Sequence, residues 1–485
     1  MPLKHGARQV QQWDIFELVL EGPDIVNPFT EIYLKGRFTC NGRIIEQEGF
    51  YDGNGTYIIR IMPDIQGNWT YRIFSSSAQM DGITGSFTCI KPSGMNHGPV
   101  RVRDTYHFVY EDGTAFYPFG TTCYAWTHQG NELEEQTLTT LSASPFNKIR
   151  MCVFPKHYDY NNNEPEIYPF ERNAGEGWDF ERFNPEFFRH LELRLKNLME
   201  LGIEADLILF HPYDRWGFSV MGSEADERYL KYIVTRLSAF RNVWWSLANE
   251  YDLMNKSVKD WERYAEIIMQ HDPYCHLRSI HNCIHFYDHT RPWITHCSIQ
   301  RVDIYKTTEL VNEWRERYRK PVIVDECAYE GNISHGWGNI SDEELVRRFW
   351  EGMLRGGYVT HGETYLDPKE ILWWSKGGRL HGSSPPRIAF LKKIIEEGPK
   401  KGLTYMPLEW DSVCGGIPNE YYIFYFGFFR PSFRIFHMPE GIQFKVDVID
   451  TWDMTINELP GTYKGDFRVE LPGKSYIAVR MRKVS

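Results

Sequence analysis

No stretch of this 485-residue chain approaches 18 consecutive apolar residues, which excludes a transmembrane helix. Cations are outnumbered, 54 Lys and Arg against 65 Asp and Glu, for a net charge of −11. A deficit of that sign argues against a nucleic-acid partner, whose phosphates demand clustered cations, and against a polybasic membrane anchor. The nine cysteines contain no CxxC pair and are odd in number, so they read as reduced thiols. Cys40 and Cys89 each end a Phe-Thr-Cys triplet, and a disulfide between them is the less favoured reading. The opening MPLKHGARQVQQWD has no apolar segment of signal-peptide type, which makes a cytoplasmic location the expectation. Neither GxGxxG nor a Walker sequence follows any candidate strand, weakening a nucleotide-binding reading. A GxSxG elbow is absent, which argues against a serine hydrolase. His285 and His289 are four apart, but without HExxH or a third ligand in view they do not point to a metal.

What the chain does have is aromatic: 30 Phe, 29 Tyr and 16 Trp, 15% of all residues. Flat rings build cores and also form the walls on which sugar faces rest. Charged residues at 25% and hydrophobic ones at 42% describe a folded globular protein. Its length calls for two or three domains. Residues 1–96 alternate apolar and polar side chains in short runs (IYLKGRFTC, TYIIRIMP, NWTYRIF, GSFTCIK) between turn signals and predict a β-sandwich. Residues 97–400 alternate strands with helices. Strands are expected at 116–122, 148–154, 204–210, 243–248, 276–281, 293–298, 321–325 and 357–361. Helices are expected from Asn184, Ser223 and Ser341 and near 257–271, 307–319 and 385–397. Eight strands alternating with helices fit an α/β fold of the (β/α)₈ TIM-barrel type better than a doubly wound sheet. Residues 401–485 return to β pattern and predict a second β-sandwich.

In such a barrel the chemistry sits beyond the carboxyl ends of the strands. The fourth strand, VWWSLANE, ends in Asn249-Glu250, and the seventh, PVIVDE, ends in Asp325-Glu326. A carboxylate closing a buried apolar run is costly unless it is functional or paired. Two glutamates on opposite-lying strands are what a retaining glycosidase requires, one as nucleophile and the other as acid and then base. Strand alternation keeps Asp325 and Glu326 from facing the same site. An asparagine beside the acid can bond a sugar 2-hydroxyl, and an arginine beside the nucleophile keeps that carboxylate ionised. Further strand-end candidates for substrate binding are Trp126, Arg150, His211, Tyr213, His281, Asn282 and Glu363. Trp373 and Trp374 read more readily as core than as sugar platforms.

VWWSLANEYD followed by PVIVDECAYEG, with the two glutamates 76 positions apart, looks like the paired motifs of clan A retaining glycoside hydrolases. The stretches GNWTYRI, FYPFGTTCYAW and YIAVRMR extend the likeness to bacterial apiosidase-like proteins with a leading and a trailing β-sandwich, across nearly the whole chain. The resemblance implies Glu250 as acid/base, Asn249 as its neighbour, Glu326 rather than Asp325 as nucleophile, and Arg150 as the strand-two arginine. Many clan members carry a Trp at the end of strand eight. HGETY stands there instead, which makes Glu363 the eighth strand's expected contribution. The expected activity is removal of terminal sugars from oligosaccharides or glycosides, with no cofactor or metal needed for the chemistry. Nucleic acid and membrane are not expected as partners, and a homo-oligomer is left open. A non-catalytic carbohydrate-binding protein and a transglycosylase using the same pair are the alternatives.

Overall fold

The computed structural model describes residues 9–23, 25–173, 175 and 177–484; residues 1–8, on which part of the leader reading falls, lie outside them. The central sheet has eight strands: Phe119–Thr122, Lys148–Cys152, Glu204–Phe210, Val243–Ala248, Arg278–Ser279, Cys297–Gln300, Val322–Glu326 and Tyr358–His361. Taken in chain order, they lie side by side as 5-4-3-2-1-8-7-6, every neighbouring pair parallel. Between strands five and six the contact is one parallel bridge, His281 to Ser298, so the barrel is nearly closed.

The expected strands are all found, with shifted edges. The first begins at Phe119 because an antiparallel three-stranded sheet over Val100–Arg103, His107–Tyr110 and Ala115–Phe116 uses the preceding residues. Phe108 of that sheet packs on Trp244, His296 and Tyr358. The sixth starts at Cys297 instead of 293, and no helix separates it from the fifth. The helix Asn131–Ser142 after strand one went unpredicted; its polar NELEEQTLTTLS buries only Glu134, Thr137, Leu138 and Leu141. Caps decide the helix ends. Asn184 accepts from the Glu186 amide ahead of Pro185, and Ser341 accepts from Glu344. The full capping box belongs to Ser257 and Asp260, whereas Ser223 lies inside its helix behind Gly222.

Before the barrel, sheets of five and three strands share one core. Phe16 of the smaller stacks on Phe87 of the larger at 3.8 Å. After it, sheets of six and two strands enclose a core around Phe424, Phe436, Val446 and Met481. All nine cysteines are free, Cys40 and Cys89 included. The leading sheets are pinned to the barrel by buried charge: Arg60 and Arg236 both grip Glu192, at 2.6 Å each.

The barrel interior is also charged. Lys148 lies 2.8 Å from both Asp206 and Asp325, and all three are fully buried. Ser298 and Thr360 add hydrogen bonds to Asp325 at 2.6 and 2.7 Å. Burial opposes ionisation of Asp325, but Lys148 and Arg150 outweigh it and hold the carboxyl below its ordinary range. Removing one member of such a group strands the others in low dielectric. Lys148→Met is therefore expected to destabilise the fold by about 3–5 kcal/mol, seen as a lower melting temperature. An unchanged melting temperature would show that the two aspartates are not held by this lysine.

Candidate active site

Strand four delivers Glu250 in a left-handed conformation, φ 51° and ψ 54°. A residue with a β-carbon pays on the order of 1–2 kcal/mol for that region, so the surroundings must impose it. Here the backbone is held on both sides: the Asn249 amide bonds Phe210 O at 2.9 Å, and the Tyr251 amide bonds His281 O at 3.0 Å. Glu326 closes strand seven. Alternation turns it into the cleft while Asp325 stays with Lys148 in the barrel interior. The cleft encloses about 500 Å³ counting its open mouth, and both glutamates line it.

Each carboxylate is anchored by a phenol. The Tyr213 hydroxyl donates to Glu250 Oε2, and the Tyr124 hydroxyl to Glu326 Oε1. Arg150, fully buried, spans the site: Nη1 is 3.4 Å from Glu326 Oε1 and Nη2 donates to Asn249 Oδ1 at 3.0 Å. Asn249 is thereby oriented with its oxygen satisfied. Burial, and after it the Glu250 carboxylate, push Glu326 up to about 7, against Arg150, Tyr124 and Lys156. The expectation that Arg150 keeps this carboxyl low does not hold in the open cleft, because burial and a like charge outweigh the guanidinium. The Tyr124 and Tyr213 hydroxyls are raised by burial and by the carboxylates they serve, so they remain donors.

Of the other residues expected here, Tyr213 and Asn249 line the cleft. His281 lies beneath it, Nε2 3.9 Å from Glu326 Oε1, and burial followed by Arg150 keeps it neutral. Asn282 ties two loops together by donating to Gln300 O at 3.1 Å. His211 spends Nε2 on Phe154 O at 3.1 Å, and burial lowers its pKa to about 4. Trp126 is core. Glu363 turns away from the cleft and accepts the amides of His381 and Gly382 at 2.5 and 2.9 Å. The strand-eight aromatic missing from HGETY is supplied from further along: Trp374, on the short helix Trp373–Lys376, forms part of the wall.

Sequence reasoning missed Tyr124, Lys156, Tyr329 and Trp337, all of which line the cleft. The signal for Lys156 is its place just past the apolar end of strand two. Its ammonium lies 3.7 Å from the ring centre of Tyr124, 4.4 Å from Tyr213 and 4.7 Å from Trp374. Burial lowers its pKa, while Cys152 and the two glutamates oppose that shift.

An eight-stranded parallel barrel with two buried glutamates where strands four and seven end defines a glycoside hydrolase. The family model described as "Apiosidase-like, catalytic domain" matches residues 103–395, more than half of the chain, and the chain belongs to that family. Models described only as domains of unknown function match residues 9–76 and 410–482. Among solved structures, a candidate glycoside hydrolase from Bacteroides vulgatus is 41% identical with a TM-score of 0.94, over 98% of this chain and 100% of that one. A family 5 glycoside hydrolase from the same organism shares the fold: 15% identity, TM-score 0.61, over 80% of this chain and 94% of the other. No curated protein matches the sequence.

Proposed function

We propose that this enzyme removes terminal sugars from oligosaccharides or glycosides with retention of configuration. Glu326 acts as nucleophile and Glu250 as acid and then base, in a barrel flanked by β-sandwich domains at 1–96 and 401–485. The carrying observation is the pairing of Glu250 and Glu326 in one cleft, each fixed by its own tyrosine. The mechanism needs one ionised and one protonated carboxyl. The upward push of Glu250 on Glu326 exists only while Glu250 is charged. Once Glu250 holds the proton, Arg150, Lys156 and the Tyr124 hydroxyl favour the Glu326 anion against burial alone.

With that distribution, Glu326 attacks the anomeric carbon while Glu250 protonates the departing oxygen. Water, deprotonated by Glu250, then releases the sugar from Glu326. Asn249, its oxygen held by Arg150, presents its amide N–H to a sugar hydroxyl. The rings of Tyr158, Tyr329, Trp337 and Trp374 wall the cleft, which favours a terminal residue over an internal one. The test is a panel of aryl galactosides, glucosides, xylosides, arabinofuranosides and apiosides, with the first-formed anomer read by proton NMR. Release of the anomer of the starting glycoside is expected. An inverted first product sinks the double displacement, and rapid internal cutting of polysaccharide with disaccharides ignored sinks the terminal-sugar reading.

A further inference from the structure

We propose that Glu330, His361 and Glu363 form a binding site for one divalent transition metal ion, zinc or manganese, behind the wall of the cleft. Glu330 and Glu363 face each other directly in the parallel pair Glu330–Gly331 with Glu363–Thr364. Like charges in register on neighbouring strands repel, and both residues are buried, 0% and 1% exposed. Among the described residues no lysine or arginine pairs with either; the one basic neighbour is His361. Its Nε2 lies 3.6 Å from Glu330 Oε1 and 3.9 Å from Glu363 Oε2, fully buried and without a hydrogen bond. The three ligand atoms all fall within 4.8 Å of one another, close enough to share one cation.

The surroundings suit that use. His361 Nδ1 is 2.9 Å from Thr121 Oγ1, which also accepts from the Trp373 indole at 2.8 Å. A hydroxyl oxygen with two lone pairs can accept from both, the tautomer that leaves the Nε2 lone pair directed at the carboxylates. Ser384 donates to Glu330 Oε1, and the backbone amides on Glu363 fix its plane. A β-carbon at Gly382 would sit 2.1 Å from Glu330 Oε1, so a larger residue there would displace that carboxylate. One imidazole and two carboxylates form a donor set for zinc or manganese, whereas calcium prefers oxygen alone. None of the three residues lines the cleft, so the ion is structural. It would tie the loop after strand seven, with Tyr329 and Trp337, to the one after strand eight that leads to Trp374.

The full chain, purified without a metal-affinity step, is assayed by elemental mass spectrometry and thermal unfolding before and after chelation. About one equivalent of metal is expected, with chelation lowering the melting temperature by at least about 3 °C and Zn²⁺ or Mn²⁺ restoring it. In the double variant Glu330→Gln/Glu363→Gln both the metal and the shift should be lost. Failure of wild-type protein to take up either ion at tenfold excess overturns the site, as does equal uptake by the variant. If the variant does not fold, anomalous scattering from metal-soaked wild-type crystals decides. A peak between the three side chains supports the site, and a peak only elsewhere overturns it.

Discussion

Replacement of Glu326 by glutamine is expected to lower kcat on aryl glycosides on the order of 10⁵-fold while leaving the fold intact. A covalent nucleophile has no substitute in the cleft, and losses of this size follow removal of a nucleophile in other double-displacement enzymes. Glutamine keeps the volume and can still accept from Tyr124, so the hydrogen bond at that position survives. Asp325 cannot take over, because it stays in the barrel interior against Lys148, Ser298 and Thr360. A slowly deglycosylating 2-fluoro glycoside should therefore label wild-type enzyme once, on the peptide containing Glu326. Turnover of the variant within tenfold of wild type, or a label on another residue, would remove Glu326 from the proposed role.

Glu250→Gln should divide substrates by leaving group. A poorly activated alkyl glycoside needs the proton and should lose about 10²–10⁴-fold in kcat/KM. A dinitrophenyl glycoside, whose leaving group departs unaided, should lose little in the step that forms the intermediate. The pH profile supplies a separate test. The active pair holds a single proton, on Glu250 while Glu326 is ionised, so wild-type activity should fall at high pH as the pair loses that proton, which burial and the repulsion between the two carboxylates hold in place. Glutamine has no proton to lose, so in the variant that falling limb should be absent. A falling limb kept in the variant would place that proton on another group, and equal losses on both leaving groups would count against Glu250 as the acid.

Much of the architecture was legible because its signals are local. Apolar runs such as VWWSLA and PVIV, short and bounded by turn residues, read as buried strands, and Asn-Pro-Glu at 184 and Ser-x-x-Glu at 341 mark helix starts. The start of strand six at Cys297 was not legible, since the apolar Trp293 and Ile294 before it read as strand. The helix Asn131–Ser142 was missed because few of its side chains are buried, which weakens the period that betrays an amphipathic helix.

By itself, then, the sequence determined the strand ends and hence the pair Glu250 and Glu326, because a carboxylate closing a buried strand is a local fact. Which other side chains reach that pair was decided by the tertiary structure. Tyr124, Lys156, Tyr329, Trp337 and Trp374 arrive from loops after different strands, and their convergence depends on barrel closure. His211, Trp126 and Glu363 share the strand-end address but point into the packing between strand and helix or behind the wall. Side-chain direction follows from backbone twist and from neighbours brought in from far along the chain, and no local pattern encodes it. The same closure set Glu330 beside Glu363, two carboxylates 33 residues apart that only the parallel pairing of their strands makes neighbours.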